Sequence, residues 1–153
     1  MISLAERLRS RGLTLPKPTP PNGTYEPFTR SGSIIFMAGT TCVRDGELQY
    51  SGTVGADLSV EDGQKAAAIC ALNLLANLSL ACEGEYNRVR ALKMNGFVKC
   101  LPDFTEQPRV LDGASEVFLL ALGDRGRHAR AAVGAYALPR GATVEIEAIF
   151  EIG

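Results

Sequence analysis

The chain has 153 residues, 46% of them hydrophobic, about the size of one compact domain with enough apolar material for a real core. A formal net charge of −1 supplies no drive toward nucleic acid or an anionic membrane, and no basic stretch exceeds Arg125–Arg130. No apolar run reads as long enough to span a bilayer, and charges interrupt the first twelve residues, where a leader needs an unbroken apolar stretch. A soluble, cytoplasmic protein is therefore expected. The four cysteines have no CxxC spacing and there is one histidine, so a Cys/His zinc site is excluded and small buried thiols are expected.

Residues 2–12 predict a short amphipathic helix with Leu4 and Leu8 on one face and Gly12 as its stop. The following "LTLPKPTPPNGTYEP" is too rich in proline for helix or central strand, and reads as an extended arm on the surface. Residues 1–24 thus form an N-terminal helix and arm within one domain expected over 1–153. "YEPFTR" and "SIIFMAGTTC" predict two strands around a Ser31-Gly32 turn, and "VRDGELQY" a third with a turn at Asp45-Gly46. A long helix is predicted over 59–83, capped by Ser59, with Glu61 and Asp62 in its first turn and Gly84 after its end. "RVRALKMNGFVKCL" reads as a long strand, and residues 108–122 as a second helix ending at Gly123.

The chain closes with two alternating strands, "HARAAVGAYA" and "ATVEIEAIFEI", joined by Leu138-Pro139-Arg140-Gly141. Six strands and two long helices, each apolar on one side, predict an α+β domain with both helices on one face of a mixed sheet. The other face is left wet or buried against other subunits.

Arg130 stands among very small residues: Ala129, Ala131, Ala132 and Gly134. As structure, a simple hairpin register pairs it with Glu151, a contact contributing roughly 0.2–1 kcal/mol. As chemistry, a planar fork with clearance around it suits a small carboxylate. Glu145 is the nearest candidate base, with a solvated strand face as its plainer reading. In that register it lies near Tyr136, roughly 20 Å from Arg130 at about 3.3 Å per residue. Two chains are then needed to use both. His128 alternates onto the face of Arg130, as a general acid–base group or an exposed loop-end residue. Arg125 and Arg127 read as solvent-facing charges.

"ARAAVGAYALPRGATVEIEAIFEI", with "NGTYEPFTRSGSIIFMAGTT" and "LKMNGFVKCLPDF", resembles the RidA (YjgF, L-PSP) family over most of residues 22–152. The resemblance implies a chorismate-mutase-like fold, a homotrimer around a central barrel, and clefts between subunits. It implies hydrolysis of enamines and imines such as 2-aminoacrylate and 2-iminopropionate to a 2-keto acid and ammonia, without metal or organic cofactor. By that match Arg130 grips the substrate carboxylate and Glu145 positions or activates water. Tyr25, which otherwise packs the arm, and Gly39 line the cleft. Ala132 stands where many members have cysteine, and Asp112 where many have asparagine, beside an insertion around 105–111. These departures, with the N-terminal extension, mark a divergent subgroup. A non-catalytic binder of small carboxylates is the alternative. A ribonuclease or translation inhibitor, also ascribed to family members, is disfavoured by the slightly negative charge.

Overall fold

In a computed structural model describing residues 2–153, the chain opens with α1 (Leu4–Arg9), shorter than the helix expected over 2–12. Ser3 and Glu6 exchange the two hydrogen bonds of a capping box, a device contributing about 1 kcal/mol. Leu8 is fully buried, and Gly12 turns the chain away at φ 70°. The arm then crosses its own α2 (Val60–Cys82). There Thr19 N–H donates to Asn77 Oδ1 at 2.9 Å, and Arg44 holds the Thr14 carbonyl at 2.8 Å.

The first hairpin joins β1 (Phe28–Ser31) to β2 (Ile34–Met37). Its loop is Gly32-Ser33, one residue beyond the expected turn, with Gly32 at φ 60°. The stretch expected as one long second strand breaks at Ala38-Gly39, and β3 (Thr40–Thr41) resumes beyond it. The expected third strand lies outside the main sheet. It is split into β4 (Val43–Arg44) and β5 (Glu47–Leu48), a small ribbon around the predicted Asp45-Gly46 turn.

α2 begins where predicted: Ser59 caps it reciprocally with Asp62, and Glu83 and Gly84 end it in left-handed conformation. Its length and mean hydropathy of 1.5 are enough to cross a membrane, which the reading of the sequence did not anticipate. Most of the apolar window is instead buried inside the fold, against β8 (Val144–Ile152) and α3 (Gln107–Leu122).

β6 (Val89–Lys99), α3 and β7 (Ala129–Ala135) form a parallel strand–helix–strand unit, and β8 lies antiparallel on the far side of β6. The sheet order is β1-β2-β8-β6-β7, with β3 continuing the β2 side of β8. This is the expected α+β architecture, six strands in a mixed sheet with both long helices on one face, but the closing hairpin is not formed. β7 pairs with β6, and residues 136–143 carry the chain across the end of β6 to β8. Arg130 consequently aligns with Met94, whereas Glu151 aligns with Arg90 and Ile34, so the expected Arg130–Glu151 pair does not exist.

Two glycines let α3 sit close to its neighbours. A Cβ on Gly96 would lie 2.0 Å from Leu111 Cδ1, and one on Gly113 2.1 Å from the Gln64 carbonyl oxygen. Along β8, Val144, Ile146, Ala148, Phe150 and Ile152 enter the core, while Glu145, Glu147, Ile149 and Glu151 turn to the opposite face. That second face is uncovered in the single chain, with Phe36 45% and Val133 47% exposed.

Candidate functional site

Glu145 occupies the first turn of β8 alternation away from the helices, opposite Thr41 of β3 and Phe97 of β6. At this level the sheet ends in β3, and a cavity of about 480 Å³ opens at its margin. Tyr25, Gly39 and Glu145 all line it, so three of the six predicted site residues meet. Gly39 lies in the break between β2 and β3. A Cβ there would stand 2.7 Å from Glu145 Oε1, so glycine is what lets the carboxylate rest against the backbone. Burial, followed by the like charge of Glu147, raises the Glu145 carboxyl above its usual value of 4.5. Tyr25 is half-exposed, and its hydroxyl accepts from the Asn22 N–H at 3.3 Å.

The cavity has further walls that sequence reasoning missed. Asn73 and Asn77 reach it from α2, and Arg140 from the loop before β8. Asn73 donates to the Thr41 and Val43 carbonyls at 3.0 and 2.8 Å, tying β3 and β4 to the helix. The available signal was a pair of amides at i, i+4 on an otherwise apolar helix, where buried polar groups need partners. Arg140 takes a left-handed backbone (φ 61°) and donates to the Gly46 carbonyl at 3.2 Å.

Arg130, Ala132 and Asp112 form a second group elsewhere. Arg130 and Ala132 align with the core-facing Met94 and Gly96, and so project from edge strand β7 toward α3. Arg130 Nη1 donates to Asp112 Oδ1 at 2.9 Å and Ser115 Oγ at 3.0 Å, and Nη2 to the Pro108 carbonyl at 3.1 Å. His128 shares this face, as expected. Its Nδ1 lies 2.6 Å from the Gly126 carbonyl and must carry the proton there, leaving Nε2 to accept from Ser115 at 3.0 Å. The ring stands edge-on to Phe118 with centroids 5.5 Å apart, which makes His128 a support for Ser115 rather than a loose loop residue. Arg127 is exposed and pairs with Asp124, and Arg125 donates to the Asn87 carbonyl.

One chain cannot join the two groups. Arg130 and Glu145 are two strand spacings and three residues apart through β6, roughly 14 Å between Cα atoms, and they point to opposite faces. The separation is shorter than the simple hairpin implied, but side chains on opposite faces cannot share one small ligand within a chain.

The four cysteines are free. Cys42 and Cys70 are fully buried neighbours that do not line the cavity. Burial pushes the Cys70 thiol well up, while hydrogen bonds from Cys70 and the backbone hold Cys42 down to about 6. Among the described residues no group of three His, Cys, Asp or Glu side chains is placed to hold a metal ion.

A mixed six-stranded sheet with two long helices on one face defines the chorismate-mutase-like class of α+β proteins. Residues 5–149 match the family model described as "YjgF/chorismate mutase-like, putative endoribonuclease", and the chain belongs to that family. Protein TCP17 of Trypanosoma cruzi is 39% identical over 97% of this chain and 94% of its own. The crystal structure of protein Atu1372 from Agrobacterium tumefaciens is 42% identical, with a TM-score of 0.92 over 98% of this chain and 92% of that one. Escherichia coli TdcF, solved with bound serine, shares the fold at 22% identity and a TM-score of 0.61, over 92% of this chain and 95% of its own.

Proposed function

We propose that the protein is a hydrolytic deaminase of reactive enamine and imine acids of the 2-aminoacrylate and 2-iminopropionate type. The observation that carries this reading is Glu145: a half-buried carboxylate with a raised pKa, seated against Gly39 in a cavity large enough for a small acid. Such a group is a stronger proton acceptor than a free glutamate carboxylate and is suited to take a proton from water. Binding of serine by TdcF supports a small amino-acid-like ligand for this fold.

Arg130 holds the ligand carboxylate, and Tyr25, Gly39 and Ala132 shape the cleft around it. Water ordered by Glu145 adds to the C=N carbon as its proton passes to the carboxylate. Glu145 passes that proton to the nitrogen; the carbinolamine then loses its O–H proton, also to the nitrogen by way of Glu145, as the C–N bond breaks, and ammonia leaves a 2-keto acid behind. The reading assigns no step to a metal or organic cofactor.

Arg130 belongs to edge strand β7, and the cavity of Glu145 opens at the opposite margin, beside β3, so a head-to-tail ring of chains would bring them together. A homotrimer with one site at each interface does this, and it also covers the open sheet face carrying Phe36 and Val133. The whole chain, 1–153, acts as one domain, residues 1–24 forming its helix and arm, and it works in the cytoplasm.

Decay of enzymatically generated 2-aminoacrylate tests the reading. Wild-type protein is expected to accelerate it, and Arg130→Ala to lose the acceleration. No acceleration by wild type, or an equal rate with Arg130→Ala, overturns it.

A further inference from the structure

Arg130 is not a free cation. Of the five N–H donors of a guanidinium, three are committed to Asp112, Ser115 and the Pro108 carbonyl, and two remain, enough to grip one carboxylate. Asp112 leaves the Arg130–Asp112 pair with no net charge. Its Oδ1 is used, its Oδ2 has no hydrogen-bond partner among the described residues, and its side chain is 51% exposed beside an arginine that is 22% exposed. A ligand carboxylate on Arg130 therefore arrives next to a second, accessible carboxylate. Like charges this close repel unless a cation lies between them.

Resting on the reading of Arg130 as the anchor, we propose that Asp112 selects acids whose carboxylate is flanked by a cationic nitrogen, an α-ammonium or a protonated imine. It disfavours 2-keto acids, which carry no such nitrogen. The ligand carboxylate takes the two remaining Arg130 donors, and the nitrogen donates to Asp112 Oδ2. The selection suits the reaction: R–C(=NH2+)–COO− plus water gives R–CO–COO− plus NH4+. The substrate satisfies both Arg130 and Asp112, whereas the product leaves Asp112 facing an unscreened anion. The same residue thus retains substrate and expels product.

L-alanine and pyruvate share a carbon skeleton and differ at the α-position, so titration calorimetry of the full chain with each is the test. Wild type is expected to bind L-alanine about tenfold more tightly than pyruvate, the ratio that 1.4 kcal/mol produces. Asp112→Asn, which keeps the side chain's shape, is expected to bring the ratio near one, while Arg130→Ala weakens both ligands. Asp112→Ser with an unchanged melting curve checks that the effect is charge and not misfolding. An unchanged ratio in both Asp112 variants overturns the proposal, as does failure of wild type to bind either ligand. Selective binding without 2-aminoacrylate turnover sinks the deaminase reading alone; turnover with an unchanged ratio sinks the selectivity alone.

Discussion

Glu145 shows how position alters the chemistry of one side chain. Burial and Glu147 raise its pKa, so the folded chain binds this proton more tightly than the unfolded chain does. Stability therefore falls as pH rises from the ordinary value of 4.5 through the raised one, and the full cost is present above it. Glu145→Gln is expected to raise the melting temperature at pH 7, with the difference closing below about pH 3.5, where the carboxyl is mostly neutral in both states. Thermal melts across that range check it, and a gap that persists at low pH counts against the assignment. In the proposed reaction the base must be ionised, so wild-type turnover rises with pH through the same value and the glutamine variant loses about 10²–10⁴-fold. Arg130 is different: its ion pair is partly solvated, so Arg130→Ala is expected to cost about 1 kcal/mol or less of stability while weakening ligand binding.

Among the elements, the contact between α2 and α3 is set by glycine. The backbone carbonyl of Gln64 lies where a Gly113 side chain would begin, so Gly113→Ala must push the helices apart. Overpacking of this kind costs typically about 1–3 kcal/mol. A lower urea midpoint is expected, and Gln64→Ala in the same chain is expected not to restore it, because the obstructing atom is main chain. Restoration by that second change would show that the Gln64 side chain, not its backbone, is the obstacle. Gly96 admits Leu111 of α3 to the sheet, and Gly113 lets the same helix lie against α2, which together put Asp112 and Ser115 within reach of the guanidinium.

At the scale of the whole molecule, Arg130 and the cavity of Glu145, joined only in the proposed site, lie at opposite margins of one sheet, and Phe36 and Val133 are exposed on its uncovered face. Light scattering is expected to give three times 16.3 kDa, and Val133→Lys, a charge placed on that face, is expected to lower the mass toward one chain and reduce turnover with it. A single-chain mass for wild type at micromolar concentration would refute the shared site. Residue order alone determined the local features: the Ser59 cap, the ends of both long helices, the Asp45-Gly46 turn, and alternation that sends Ile146 inward and Glu145 out. Each depends on groups within a few residues of one another, so each is written in a short window of sequence. Only the tertiary structure decided that β7 pairs with β6 and not with β8, that Arg130 meets Asp112 and not Glu151, and that Asn73, Asn77 and Arg140 join the cavity of Glu145. Period-two alternation specifies a strand and its faces but not its partner; the partner is chosen by where α3 packs, a contact between residues far apart in the chain.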